Sequence, residues 1–236
     1  MQISQYPQQM KKYNIFAGNF GSGKTEISVN TALYGAKKYG SAMLVDMDLI
    51  NPYFKSSSQK ELLSENGVEL VSPGFAGTQY DTPSLSPRMY SAFDSDKKFL
   101  VFDSGGDPDG ATVLGILSDR FKKVWDETEF FMVINAKRPM QETPEDIIDL
   151  LHEIEDCSRM KITALINNTN LAKATDRQCL IEGAEIVREV SKRTGLPIRY
   201  HAVMPELIEE NKDVLYDAEI LPVTLHLRPE WFDLFA

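Results

Sequence analysis

Only two of the 236 residues are cysteine, Cys157 and Cys179, and they stand 22 positions apart with no C-x-x-C spacing. This scarcity excludes a disulfide framework and supplies no thiolate set for zinc or an iron–sulfur cluster, so both are expected to be inert thiols. Histidine is nearly as sparse. His152, His201 and His226 are scattered without ligand spacing, which favours structural roles. No run of about 18 apolar residues exists, so no membrane-spanning helix is expected, and Met1 to Lys12 are too polar for the apolar core of a signal sequence. The expected location is the cytoplasm. Positive charge is also short: 25 Lys and Arg against 35 Asp and Glu leave a formal charge of −10. That balance opposes broad attraction to nucleic acid or anionic lipid. Lys37-Lys38, Lys97-Lys98, Lys122-Lys123 and Arg188 with Lys192-Arg193 read as solvated helix ends or faces. The aromatic stretch Trp231–Phe235 lacks a basic polar face, so it is expected to dock on its own domain rather than on a membrane. Repeats and low-complexity tracts are absent.

What is present is a 42% hydrophobic chain, long enough for one substantial α/β core. Apolar, β-branched segments at 13–17, 42–46, 68–72, 99–103, 130–135, 162–167, 198–202 and 223–227 alternate with helical patterns at 25–39, 86–93, 143–155 and 176–194. The alternation predicts a doubly wound, mostly parallel sheet flanked by helices, a three-layer α/β/α domain over residues 13–236 behind a loose tail at 1–12. Gly40 fits the position just past a helix, Ser86-Pro87 a helix start, and Thr143-Pro144-Glu145-Asp146 an N-cap, proline and acidic first turn.

Gly18-Asn19-Phe20-Gly21-Ser22-Gly23-Lys24-Thr25 fits G-x-x-x-x-G-K-[ST], with a predicted strand before it and a helix after it. Gly18, Gly21 and Gly23 can take positive φ and turn backbone N–H groups toward phosphate oxygens. The helix start at Thr25-Glu26 favours an anion, Lys24 adds a full charge, and the Thr25 hydroxyl can ligate Mg²⁺. Phe99–Asp103 is a buried-strand pattern ending in a carboxylate and followed by Ser104-Gly105-Gly106. At a strand's carboxyl end Asp103 would sit beside the loop to hold Mg²⁺, and the Gly106 N–H could approach a γ-phosphate. Val45-Asp46-Met47-Asp48 places two carboxylates two apart, one to orient an attacking water and the other to support the metal sphere. The loops at 73–84 and 107–111 each follow a predicted strand on the ligand edge and could carry partner or substrate contacts.

These segments, with the strand end Leu165-Ile166-Asn167-Asn168, resemble the ParA/MinD-like, CobQ/CobB-type P-loop ATPases of the SIMIBI class. The resemblance implies a Mg²⁺-dependent ATPase acting as a nucleotide switch. It implies that Asp48 positions water in switch I, that Asp103–Gly106 form switch II, and that Asn167 contacts adenine. Many members carry a lysine where Asn19 stands, reaching across a sandwich dimer. Its absence here removes one reason for that dimer and leaves the oligomeric state open, a homodimer included. Guanine readers of the N-K-x-D kind place a carboxylate where this chain reads Asn167-Asn168-Thr169-Asn170, so ATP is the expected nucleotide. Met204-Pro205-Glu206-Leu207 resembles the family's other base-side loop, placing Pro205 at the nucleotide, or is an ordinary proline turn. A protein partner of unnamed identity follows from the switch reading. The alternatives are an ATP-dependent ligase or kinase like the dethiobiotin-synthetase and cobyrinate-amidase relatives, or a regulatory module that binds nucleotide without hydrolysing it.

Overall fold

Tyr13–Ala17, Ala42–Asp46 and Phe99–Asp103 are buried at every position, as strands covered on both faces must be. In the computed structural model, which describes residues 7–48, 59–72, 87–106 and 108–227, these segments are β1, β2 and β4 of one sheet. The remaining strands are β3 (Val68–Val71), β5 (Thr128–Ile134), β6 (Ala164–Asn167), β7 (Ile198–Val203) and β8 (Glu219–Pro222). Their order is β3-β2-β4-β1-β5-β6-β7-β8, and every pairing is parallel. The helices are α1 (Lys24–Tyr39), α2 (Lys60–Glu65), α3 (Pro87–Ser91), α4 (Pro108–Ile116), α5 (Ser118–Lys123), α6 (Pro144–Ser158), α7 (Arg177–Thr194) and α8 (Pro205–Ile208).

Strand alternation divides the apolar residues between two layers. Phe16, Leu44, Val101, Phe131 and Ile166 pack with Ile27, Val29 and Ala32 of α1. Their strand neighbours Ile15, Val45, Phe102, Met132 and Leu165 pack with Leu114, Phe121, Ile147 and Val187 of α4 to α7. The result is a three-layer α/β/α fold. Around β1 the winding reverses, with β2, β3 and β4 on one side and β5 to β8 on the other. A crevice therefore opens at the carboxyl end of β1, where ligands of such sheets bind.

Several helix boundaries follow the chemistry of their residues. The Thr143 Oγ1 accepts from the Asp146 N–H at 3.2 Å with Pro144 behind it, and the Gly40 N–H closes α1 on the Ala36 carbonyl at 2.9 Å with φ 89°. Asp176 caps α7 by accepting from the Cys179 N–H at 2.8 Å. Other expectations shift. The last strand is β8 at Glu219–Pro222, not 223–227: it is an edge strand, where a terminal proline is tolerated. Residues 223–227 instead run from the sheet onto α1, the Thr224 N–H bonding Asn30 Oδ1 at 2.9 Å and the His226 and Leu227 N–H groups bonding the Glu26 carboxylate at 2.7 and 3.1 Å. The segment after β4, expected as a loop, is helical from Pro108, whose fixed φ suits a first helical turn. Of the expected tail, residues 7–12 pack on the domain: the Tyr34 hydroxyl donates to the Pro7 carbonyl at 2.6 Å, and Met10 is buried. The loop at 73–84, Asp107 and Trp231–Phe235 lie outside the described residues. Among the described residues no helix is long and apolar enough to cross a membrane.

Candidate functional site

The segment between β1 and α1 takes the conformation its glycines permit. Gly18, Gly21 and Gly23 have φ of 145°, 75° and 88°. At Gly18 a Cβ would stand 2.3 Å from the Val133 carbonyl oxygen, and at Gly23 it would stand 2.3 Å from Asn168 Nδ2. Neither position admits a side chain. The Asn168 amide donates to the Ser22 carbonyl at 2.7 Å, which ties the loop to the end of β6. Asn19 closes on its own loop, its Oδ1 accepting from the Phe20 N–H at 2.7 Å and its Nδ2 donating to the Pro139 carbonyl at 3.2 Å. The Lys24 ammonium lies almost entirely buried and donates to the Asn19 carbonyl at 3.0 Å, a ring closure that holds the loop around the start of α1.

Beneath this loop two carboxylates meet. Asp46 and Asp103 are register partners at the ends of β2 and β4, both buried. Burial first, then repulsion from Asp46, pushes the Asp103 carboxyl up to about 7, while Lys24, Thr25 and Ser28 favour its ionised form. The Ser28 hydroxyl donates to Asp103 Oδ1 at 3.1 Å. Asp103 Oδ2 is sealed from solvent without a partner at hydrogen-bonding geometry; the Thr25 hydroxyl is close enough to influence the carboxyl without completing such a bond. A buried, orphaned carboxylate oxygen beside a threonine hydroxyl fits a hard cation with oxygen ligands. Asp48, half-buried, donates its backbone N–H to Asp46 Oδ1 at 3.1 Å, so the Asp46 carboxylate holds the main chain at Asp48. Gly106 lies against this assembly, and a Cβ there would stand 2.8 Å from both Lys24 Nζ and Phe20 Cα.

A cavity of about 370 Å³ opens over the loop, in the range of small-molecule sites. Of the residues expected at the site, Phe20, Gly21, Gly23, Lys24, Thr25, Glu26, Asp48 and Gly106 line it. Gly18, Asn19, Ser22, Asp46, Asp103, Asn167 and Pro205 do not. Asp46 and Asp103 lie under the loop. Asn167, expected at adenine, spends its amide elsewhere, Nδ2 on His201 Nδ1 at 3.1 Å and Oδ1 on the Thr169 N–H at 3.1 Å. Its neighbours Asn168, Thr169 and Asn170 line the cavity instead. Pro205 begins α8, and Met204 and Leu207 to either side of it face the cavity. The far wall is apolar, from Leu180, Val203, Val223, Leu225 and Leu227, and Arg138 stands at the rim beside Gly21. The loops after β5, β6 and β7 were reachable from the strand-end rule; the 223–227 wall and Arg138 carry no motif. Glu26 lines the cavity with its carboxyl raised by burial, against the two backbone N–H groups it accepts. Among the described residues no group of three or more His, Cys, Asp or Glu forms a metal cluster.

No protein-family model and no curated protein matches the sequence. Solved structures do match. The signal recognition particle 54 kDa protein from Aeropyrum pernix, in complex with GDP, superposes with a TM-score of 0.53 at 20% identity over 84% of this chain and 42% of that one. The cell division protein FtsY from Thermotoga maritima gives 0.53 at 16% identity over 84% and 64%. This chain thus spans between about two fifths and two thirds of those proteins. A nucleotide-binding protein from Archaeoglobus fulgidus in complex with ADP gives 0.50 at 12% identity, over 95% of this chain and 92% of that one. With its all-parallel sheet and the glycine loop at the end of β1, the chain has the three-layer α/β/α fold of P-loop NTPases.

Proposed function

We propose that the protein is a Mg²⁺-dependent ATP-binding switch that hydrolyses its nucleotide. The observation that carries this reading is the loop 18–25, wrapped by three positive-φ glycines around the buried Lys24 and set at the winding reversal of the sheet. Backbone N–H groups of that loop and the first turn of α1 hold the phosphate tail, and Lys24 neutralises it. Thr25 and Asp103, with Asp46 behind them, would hold Mg²⁺, whose contribution when bound is to neutralise charge on the phosphate oxygens. Asp48, whose backbone N–H is held by Asp46, lines the cavity and positions the attacking water. Gly106, packed on Phe20 and Lys24, is the element that moves with the terminal phosphate.

The base side favours adenine. No carboxylate lies among Asn167 to Asn170 to pair with guanine N1 and N2, and the apolar wall suits a purine held by stacking and amide contacts. Calorimetry with ATP, GTP and the Lys24→Ala variant tests the reading. The wild type should bind ATP in preference to GTP, and the variant should lose about 100-fold or more in affinity. Wild-type affinity in the variant refutes the assignment of the loop, and absence of Mg²⁺-dependent phosphate release refutes hydrolysis.

A further inference from the structure

The chain has eight arginines among the described residues, and seven of them bond a carboxylate or a carbonyl, as Arg188 does Asp217 and Arg199 does Glu219. Arg138 alone has no hydrogen-bond or ion-pair partner for its guanidinium among the described residues. In a protein of charge −10 that is unusual. Its location is specific as well. Arg138 lines the cavity, and its Cδ and Nε lie 3.7 and 3.8 Å from where a Cβ on Gly21 would be.

The backbone that carries it is fixed from three directions. The Arg138 N–H donates to the Asn135 carbonyl at 3.0 Å, and Asn135 is buried, its own N–H held by Gln141 Oε1 at 3.1 Å. A second turn follows at once, closed by the Gln141 N–H on the Arg138 carbonyl at 3.1 Å, with Pro139 and Met140 inside it and Met140 at φ 62°. Proline then a positive φ is the arrangement of a type II turn, accepted here without the usual glycine. Finally, the Asn19 amide holds the Pro139 carbonyl at 3.2 Å, so the phosphate loop itself clasps the turn that bears Arg138.

We propose that Arg138 is a further phosphate-contacting residue, reaching the nucleotide's phosphate tail in cis from the loop after β5. The inference rests on the nucleotide reading of the loop at 18–25. A guanidinium presents paired N–H donors to two phosphate oxygens at once, and its charge is permanent. It supplies a second cation beside Lys24, in a loop whose position 19 is an uncharged asparagine engaged in holding the arginine's turn.

The test uses the full chain, with ADP and a non-hydrolysable ATP analogue as probes in the presence of Mg²⁺, comparing wild type, Arg138→Ala, Arg138→Lys and Lys24→Ala by calorimetry and by melting without nucleotide. Because the side chain is exposed and unpartnered, Arg138→Ala should melt with the wild type. Its affinity for the analogue should fall about 10- to 100-fold, its salt dependence should weaken, and Arg138→Lys should recover only part of the loss. Wild-type affinity in Arg138→Ala, or a lowered melting point with affinity intact, overturns the proposal. If the wild type binds and Lys24→Ala does not, such a result removes the role of Arg138 alone; if the wild type binds neither probe, the nucleotide reading fails with it.

Discussion

Asp103 is buried with Asp46 as its cross-strand neighbour, and burial, followed by repulsion from Asp46, pushes its carboxyl up to about 7. In the unfolded chain such a carboxyl titrates near 4. The native state therefore binds more protons between those values, and the stability this group contributes falls as pH rises through the window, with the loss complete above about 7. Asp103→Asn removes the group. At pH 8 without nucleotide the variant should be more stable than wild type by on the order of 2 kcal/mol, a few degrees in Tm, and the gap should close toward pH 4. The same variant should lose its Mg²⁺-dependent phosphate release. Melting curves from pH 4 to 8 decide it: a gap that does not change with pH would mean that Asp103 is not the titrating group. The glycine loop was legible in sequence because its motif encodes backbone conformation directly, and Gly18, Gly21 and Gly23 have the positive φ expected of them. The surroundings of Asn167 were not, because one step along a strand end turns a side chain to the other face, and Asn167 points to His201 while Asn168 reaches the loop.

At the scale of elements, α1 lies so close to β4 that Gly35 has no room for a methyl group. A Cβ there would stand 2.0 Å from Phe99 Cδ1 and 2.6 Å from Cγ. Phe99 cannot easily give way, since it stacks on Tyr39 at 5.1 Å and meets Tyr34 edge-on at 6.5 Å. Helix propensity alone favours alanine over glycine by about 1 kcal/mol, but overpacking a filled core costs roughly 1–3 kcal/mol. Packing should win, so Gly35→Ala is expected to lower the urea midpoint with its slope unchanged. A raised midpoint would show that α1 can withdraw from the sheet. Strands were the most legible elements, because β1, β2 and β4 are mostly apolar and read as doubly covered. The helix from Pro108 was not: its proline and glycine read as a turn, whereas Gly110 serves to bring the helix onto Gly105, with a Cβ only 2.5 Å from the Gly105 Cα. The place of Arg138 was beyond reach for a different reason, since it depends on a loop after β5 meeting one after β1.

Across the whole molecule, one polar chain runs from the buried end of β6 to the surface of α7. Asn167 Nδ2 donates to His201 Nδ1 at 3.1 Å, leaving the imidazole Nε2–H to donate to Asp217 at 2.8 Å. Arg188 of α7 then grips Asp217 through Nε and a terminal nitrogen at 2.8 and 3.0 Å. Burial opposes the Asp217 charge, but bonds from Arg188 and His201 outweigh it and hold the carboxyl at about 2. Burial likewise lowers His201, against the pull of Asp217, so the imidazole stays neutral. Both shifts have the same sign for stability. The Asp217 contribution is present in full above the unfolded carboxylate range near 4 and is lost as pH falls toward 2; the His201 contribution is present above about 6.5 and lost below it. Asp217→Asn keeps the shape but weakens both charged bonds. Because solvent screens the exposed Arg188–Asp217 pair, it should destabilise the protein by only about 1 kcal/mol at pH 7, a deficit that shrinks below pH 4 as the wild-type carboxyl itself becomes protonated. Urea titrations of both proteins at pH 7 and pH 3 measure the two deficits. Equal deficits at the two values would mean that the chain is held by packing around Asp217 rather than by its charge.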